Sequence, residues 1–475
     1  MGKFIHDDTQ KHLPENLSLR SAQPPATSWR GLMITLVAAL LSFGLYYILP
    51  YGAEANKGLA ILLFVGIMWL TEAVHITVTA LLIPVLAVVF HVPEMNTKTA
   101  LANFADPIIY IFFGGFALAA AMHIQRLDRK LALKVITLSR GSFLTASLLI
   151  FAVAAFLSMW ISNTATAAMM LPLALGMMSQ LNPEKDRNII TFVLLGLAYS
   201  AGIGGIGTLV GSPPNAIAAK DLGLDFLGWM KYGLPMVLVL LPAMLAALFL
   251  VLKPDFKKIN MADVEQEDIP WNLHRILTVV VVVGTALAWM LSGKIAEATG
   301  ITAIDSVIAL TAAALVVILG TVGWREVARN VDLGVLLLFG GGITLSSLMQ
   351  KTGASAALGN EVAQVLSGTS PLLVTIAVTV FIILLTNFTS NTASSALLIP
   401  MFASIAKQMG LPETALVLII GIGASCAFML PVGTPPNALI FASGKIRQRE
   451  MLSVGLVLSA FSVVIITIWS YFFLI

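Results

Sequence analysis

Residues 156–175 read FLSMWISNTATAAMMLPLAL, and residues 384–403 read LLTNFTSNTASSALLIPMFA. Each sets a polar triplet, Ser162-Asn163-Thr164 or Ser390-Asn391-Thr392, inside an apolar run, 228 residues apart. Two further pairs keep the same chain order. FFGGFALAAAMHI at 112–124 answers LFGGGITLSSLMQ at 338–350, an offset of 226 residues. LVGSPPNAIAA at 209–219 answers LPVGTPPNALIFA at 430–442, an offset of 222 residues. Order and spacing persist together, so the chain is a duplication.

The surroundings of these motifs are those of a bilayer protein. Of 475 residues, 58% are hydrophobic and 11% charged, against about 25% charged in a soluble chain. Runs able to cross about 30 Å of hydrocarbon lie at 31–50, 58–74, 77–92, 105–122, 189–219, 225–252, 276–293, 304–321, 332–349, 413–442 and 451–475. The triplet-bearing stretches, 142–178 and 369–403, are too long for one span and have little room for a turn between two. A re-entrant helical hairpin fits each, provided protein or a water-filled cavity covers the broken backbone. The fold class expected is an all-α polytopic membrane protein, with about 11 transmembrane helices plus two re-entrant hairpins.

Charge orients the map. With residues 1–30 inside, 20 of the 27 Lys and Arg residues fall on that side, every Arg among them. The positive-inside rule then places the N-terminus in the cytoplasm and the C-terminus outside. On that path 105–122 runs inward and its counterpart 332–349 runs outward, so the repeats are inverted. Inverted repeats with broken helices characterise secondary transporters, whose sites lie at the midplane between the halves. The organisation expected is a polar cytoplasmic tail over 1–30 and a membrane transporter domain over 31–475. Its first repeat covers about 58–252 and its second about 276–475. The tail lacks the apolar core of a signal peptide. The basic segment 123–140 suits either an amphipathic helix at the inner interface or a solvated loop.

The motifs limit the chemistry. Consecutive prolines at 213–214 and 435–436 remove amide donors and forbid continuous helix. Nearby carbonyls, Asn amide oxygens and Ser/Thr hydroxyls are hard ligands suited to an alkali cation, helped by half-helix C-termini. Half-helix N-termini offer N–H groups to an anion. No Asp, Glu, Lys or Arg lies deep in these segments, whereas proton relays are normally marked by intramembrane carboxylates. Glu72, Asp106 and Asp305 fall at span ends. Cation coupling through neutral oxygens is therefore favoured. A net charge of +3 and the absence of a basic run give no sign of a nucleic-acid partner. There is no Walker loop or His-Glu-x-x-His pattern, the six His residues are scattered, and Cys426 stands alone. No enzyme and no cofactor is expected beyond coupling ions.

With its paired Ser-Asn-Thr triplets and Gly-Ser/Thr-Pro-Pro-Asn partners, the sequence resembles the divalent anion/sodium symporter family over about 31–475. It is most similar to the bacterial sodium-coupled C4-dicarboxylate transporters. The resemblance implies a homodimer in the inner membrane, with interleaved scaffold and transport subdomains working as an elevator. It implies succinate, malate or fumarate as substrate. It places one sodium among Ser158, Ser162, Asn163 and the carbonyl of Gly211, and another among Thr386, Thr389, Asn391 and the carbonyl of Gly433. The substrate carboxylates would meet Asn163, Thr164 and Ser212 on one side, and Asn391, Thr392, Thr434 and Pro435 on the other. Relatives often carry an acidic residue and alanine where this chain has Asn387 and Thr389. A dicarboxylate exchanger, a citrate or sulfate carrier, and a passive anion channel are the competing readings.

Overall fold

The computed structural model describes residues 29–139, 141–256, 268–366 and 368–475; most of the 1–30 tail lies outside them. Among the described residues all regular structure is helical. Eight helices among the described residues are long and apolar enough to cross a membrane, or nine if Ser292–Thr299 and Ile304–Ile318, bent by 103°, form one span. Leu40, Ile48, Ile318, Val365 and Phe472 are largely exposed. A belt of this kind is at home in acyl chains and untenable in water.

Three of the eleven apolar runs yield helices below span length. Apolar stretches at 77–92 and 304–321 become the helices Ile76–Val89 and Ile304–Ile318, of 14 and 15 residues. At 1.5 Å per residue these reach only about 21–23 Å. The runs at 189–219 and 413–442 are each interrupted ahead of their proline pairs, and only the second drops below span length, since Arg187–Gly207 is one of the eight. The first becomes Arg187–Gly204 and Pro213–Asp221, the second Glu413–Gly423 and Pro435–Ala442. The triplet stretches break as expected, into Phe143–Ser158 with Asn163–Met177, and Pro371–Thr386 with Asn391–Gln408. These arms have 16, 15, 16 and 18 residues.

The two halves repeat one series of helices. Pro107–Ile124, Leu127–Thr137 and Phe226–Leu252 correspond in order to Leu333–Lys351, Ala354–Val365 and Gln448–Phe473. Packing then crosses between halves in matched pairs. Pro107–Ile124 lies along Ile304–Ile318, while Leu333–Lys351 lies along Ile76–Val89. At the interrupted spans, Pro213–Asp221 packs on Asn391–Gln408 and Pro435–Ala442 packs on Asn163–Met177. Each half's proline-broken helix therefore abuts the other half's triplet helix.

The interrupted spans form the centre. Every residue from Ile189 to Gly204 is buried, as is every residue from Ala415 to Gly423. A helix apolar on all sides belongs there. Polar links join the halves at several depths. Buried Tyr199 donates its hydroxyl to the Phe428 carbonyl at 2.8 Å. Arg187 and Glu450 pair at the ends of their helices, Arg187 Nη2 donating to Glu450 Oε2 at 3.1 Å. In the basic segment the helix is Leu127–Thr137, with Leu127 and Leu133 buried. It packs on Phe143–Ser158, so this part of its apolar side faces protein.

Candidate functional site

Two oxygen cages sit where hairpin tips meet interrupted spans, one per repeat. In the first, Ser158 Oγ lies 2.5 Å from Asn163 Oδ1 and 2.7 Å from the Ala201 carbonyl. In the second, Thr386 Oγ1 lies 2.6 Å from Asn391 Oδ1 and 2.6 Å from the Ala424 carbonyl. A hydroxyl carries one proton and can donate to only one of two such oxygens. In the second cage one close oxygen–oxygen contact therefore has no proton to hold it, whereas in the first the Asn163 amide, turned over, would donate to Ser158 Oγ. The first cage is tighter still. The inward amide atom of Asn163 lies 3.1 Å from the Gly211 carbonyl and 3.3 Å from that of Ala201. Turned over, the amide would donate to these acceptors. With its oxygen inward it completes a set of hard ligands converging on one point, which suits a monovalent cation.

The local sequence explains how the tips come to be there. Ser162 and Ser390 are N-caps, accepting from Ala165 N at 3.2 Å and Ala393 N at 3.4 Å. The cap ends each outgoing arm's first turn and leaves the following Asn and Thr at a helix N-terminus. Anions are favoured there by the free N–H groups and the dipole. On the interrupted spans, Ser212 and Thr434 likewise precede helices whose first residue is proline. Ser212 Oγ lies 3.3 Å from Ser425 Oγ of the other half, and both side chains are buried. Four helix N-termini thus flank the cages.

A cavity of about 1080 Å³ reaches the first tip, where it is lined by Ser162 and Thr164. Its other walls include Phe116, His123, Arg126 and Asp332. His123 and Arg126 belong to the segment that the charge asymmetry assigns to the cytoplasm. Thr164 is exposed to this space, whereas Thr392 is half-buried.

A family model described as "Citrate transporter" matches residues 66–410 and 306–475. The chain belongs to the citrate transporter family. An uncharacterized transporter of Haemophilus influenzae is 50% identical over 456 residues, 94% of this chain and 98% of that protein. The sodium-dependent dicarboxylate transporter SdcS of Staphylococcus saprophyticus is 32% identical over 492 residues, 93% of this chain and 91% of that one. Of solved structures, the MtrF efflux pump of Neisseria gonorrhoeae aligns with a TM-score of 0.56 at 15% identity, covering 94% of each chain. The YdaH transporter of Alcanivorax borkumensis gives 0.55 at 14%, over 79% of this chain and 88% of that one. At such identities these two report the fold alone.

For this member of the citrate transporter family, the structure sorts the expected site residues. Ser158, Asn163 and the Gly211 carbonyl converge, as do Thr386 and Asn391. A methyl group placed on Gly433 would stand 3.5 Å from the Asn387 backbone, so Gly433 lies beside the second tip. Thr389 turns away, bonding the Leu385 carbonyl at 3.0 Å and the Ser394 hydroxyl at 2.7 Å. The Ser162 hydroxyl serves its cap. Thr434 accepts from Asn437 N at 3.3 Å, and Pro435 is exposed at its helix start. Asn387 ties the second tip to the adjacent break, accepting from Met429 N at 2.8 Å. The carbonyls of Ala201 and Ala424 and the hydroxyl of Ser425 were not visible to sequence reasoning. Carbonyls carry no residue-type signal, and Ser425 faces Gly202 in the repeat rather than a like residue.

Proposed function

We propose that this protein is a sodium-coupled symporter of C4-dicarboxylates, with succinate, malate and fumarate as cargo, in the cytoplasmic membrane. The observation that carries this reading is the pair of oxygen cages, built alike in both halves and flanked by helix N-termini. A cation in each cage would add attraction for a dianion at the adjoining N–H groups, so ion and substrate bind together. The name of the staphylococcal relatives, sodium-dependent dicarboxylate transporter, agrees with it. In this reading the chain has about 11 spans and two re-entrant hairpins in two inverted repeats, over about 58–252 and 276–475. It works as a homodimer whose transport subdomain moves as an elevator past a scaffold. The N-terminus is cytoplasmic and the C-terminus outside.

The test is succinate uptake into proteoliposomes with sodium, potassium or a pH gradient imposed in turn. Sodium is expected to drive accumulation, and removing it should reduce uptake to the protein-free background. Equal uptake in sodium-free buffer under a pH gradient overturns the reading. The description of the matched family favours citrate as a second cargo. Competition by citrate at equal concentration measures that directly, and uptake that needs internal dicarboxylate would indicate exchange.

The threonines of the triplets separate substrate from ion. Thr392→Val keeps the shape and removes a hydroxyl that we assign to a carboxylate. A hydrogen bond to a charged group is worth about 1.5–3 kcal/mol, so apparent succinate affinity should weaken by about ten- to a hundredfold. Sodium affinity measured on the same purified variant should change little, because the second cage is drawn from Thr386, Asn391 and Ala424. Loss of sodium affinity with succinate affinity kept would reverse the assignment.

A further inference from the structure

Asn215 and Asn437 end the Gly-Ser-Pro-Pro-Asn and Gly-Thr-Pro-Pro-Asn motifs, yet neither belongs to the ion or substrate sets above. Both are buried, at 0% and 1% exposure. Their surroundings pose a specific problem. Each interrupted span unwinds before its proline pair, so several carbonyls there lack the amide partners a helix would supply. Asn215 Nδ2 donates to the carbonyls of Gly205 and Thr208 at 2.7 Å each, with Ile206 at 3.3 Å. Asn437 Nδ2 donates to the carbonyls of Ala427 at 2.9 Å and Leu430 at 3.2 Å.

The register of these bonds is the same in both repeats. In each, the acceptors lie ten and seven residues before the asparagine. The acceptor residues themselves differ, Gly205 and Thr208 against Ala427 and Leu430. What is duplicated is therefore the geometry of the bond and not a local sequence. The bonded loops also touch the cages. A methyl group placed on Gly205 would stand 2.4 Å from Asn163 Oδ1 and 3.0 Å from the Gly211 carbonyl. One placed on Gly433 would stand 3.3 Å from the Ala427 methyl. In the first half the residue ten positions back abuts the cage; in the second it lies against Gly433, beside the hairpin tip.

We propose that Asn215 and Asn437 are positioning residues, each clamping one unwound segment so that its carbonyls keep the spacing the cation requires. The side-chain amide is suited to this. It offers two N–H donors from one planar group, where a hydroxyl offers one and an apolar side chain none. The inference rests on the sodium reading of the cages and adds to it a residue that touches neither ion nor substrate.

The experiment uses the full-length protein with Asn215→Ala and Asn437→Ala, each read in two ways. In proteoliposomes, the sodium concentration for half-maximal succinate uptake should rise about tenfold, the loss of roughly one to two neutral hydrogen bonds. Discrimination of sodium over lithium should narrow, since a loosened cage no longer selects by radius. Maximal uptake and succinate KM at saturating sodium should stay within about twofold of wild type, as the substrate contacts are untouched. In detergent, amide hydrogen exchange should quicken in segment 205–212 for Asn215→Ala and in 427–434 for Asn437→Ala, each without change in the other half. Asn215→Ser, which keeps one donor, should fall between alanine and wild type, and it replaces the alanine variant if that one fails to insert.

Unchanged exchange in the matching segment overturns the clamp. Quickened exchange with a wild-type sodium response and unaltered ion preference overturns its role in positioning. If the wild-type protein transports without sodium, it is the proposed function that fails. The exchange pattern then decides the clamp alone, with loosening confined to the matching repeat upholding it.

Discussion

Asn163→Ala and Asn391→Ala are each expected to abolish sodium-driven uptake while leaving a folded protein of wild-type oligomeric state. Each amide stands at the junction of two tasks. The Asn163 amide faces the Ser158 hydroxyl and the Gly211 and Ala201 carbonyls, the Asn391 oxygen faces the Thr386 hydroxyl, and each residue opens the helix whose N-terminus we assign to the substrate. Truncation removes one ligand from a small set of neutral oxygens and leaves the rest facing one another. No formal charge is present to compensate, so ion binding should be lost, and with it the attraction for a dianion. Fold should survive because both side chains are half-buried, and the caps on Ser162 and Ser390 are intact. Uptake in proteoliposomes, gel filtration and sodium-induced thermal stabilisation of the purified variants check this. Wild-type uptake by both would mean that the triplets are packing elements.

Gly211→Ala should be nearly as damaging, for a steric reason. A methyl group at Gly211 would lie 2.4 Å from the Gly205 carbonyl oxygen and 2.9 Å from that of Ser158, both main-chain atoms. Backbone cannot rotate away as a side chain can, so the break must shift. Overpacking of this kind typically costs about 1–3 kcal/mol of stability. Its larger effect here falls on the cage, because the Gly211 carbonyl is one of the oxygens 3.1 Å from the Asn163 amide. Sodium-stimulated uptake should fall to a few per cent or less, about 2 kcal/mol or more of lost binding. Gly202→Ala is the matched control. Gly202 lies on the buried helix Arg187–Gly204 that precedes the break in the same interrupted span, and a methyl group there meets nothing within 4 Å. Replacing a helical glycine by alanine in open space should be neutral or stabilising by about 0.5–1 kcal/mol. Equal activity of the two variants would remove the steric argument.

The membrane class, the duplication and the placing of both helix breaks were legible because each depends on local composition. A proline pair cannot continue a helix from the residues before it but can open a new one, as both pairs do here, and Ser162 and Ser390 cap helices through bonds spanning three residues. The lengths of the individual helices were not legible in the same way. Apolarity over 77–92 and 304–321 is satisfied equally by a long lipid-crossing helix and by a shorter one packed against protein. Ile76–Val89 and Ile304–Ile318 took the second course, each against a helix of the other half. Thr389 and Ser162 show the same limit at the site. A hydroxyl next to a triplet is chemically able to hold a cation, but here these two bond their own hairpins.

By itself, then, the sequence determined that this chain lives in a bilayer, that its motifs recur in order along the chain, and that neutral polar residues stand at four breaks in its apolar runs. Those properties follow from transfer free energy and backbone sterics, which act residue by residue. Only the tertiary structure decided which oxygens meet. The Ala201 and Ala424 carbonyls reach their cages across 43 and 38 residues of chain, and Ser212 meets Ser425 across 213. Every residue carries the same carbonyl, so nothing in its side chain announces that role. The choice is made by the packing of the two central spans between the hairpins, a long-range outcome of the whole fold.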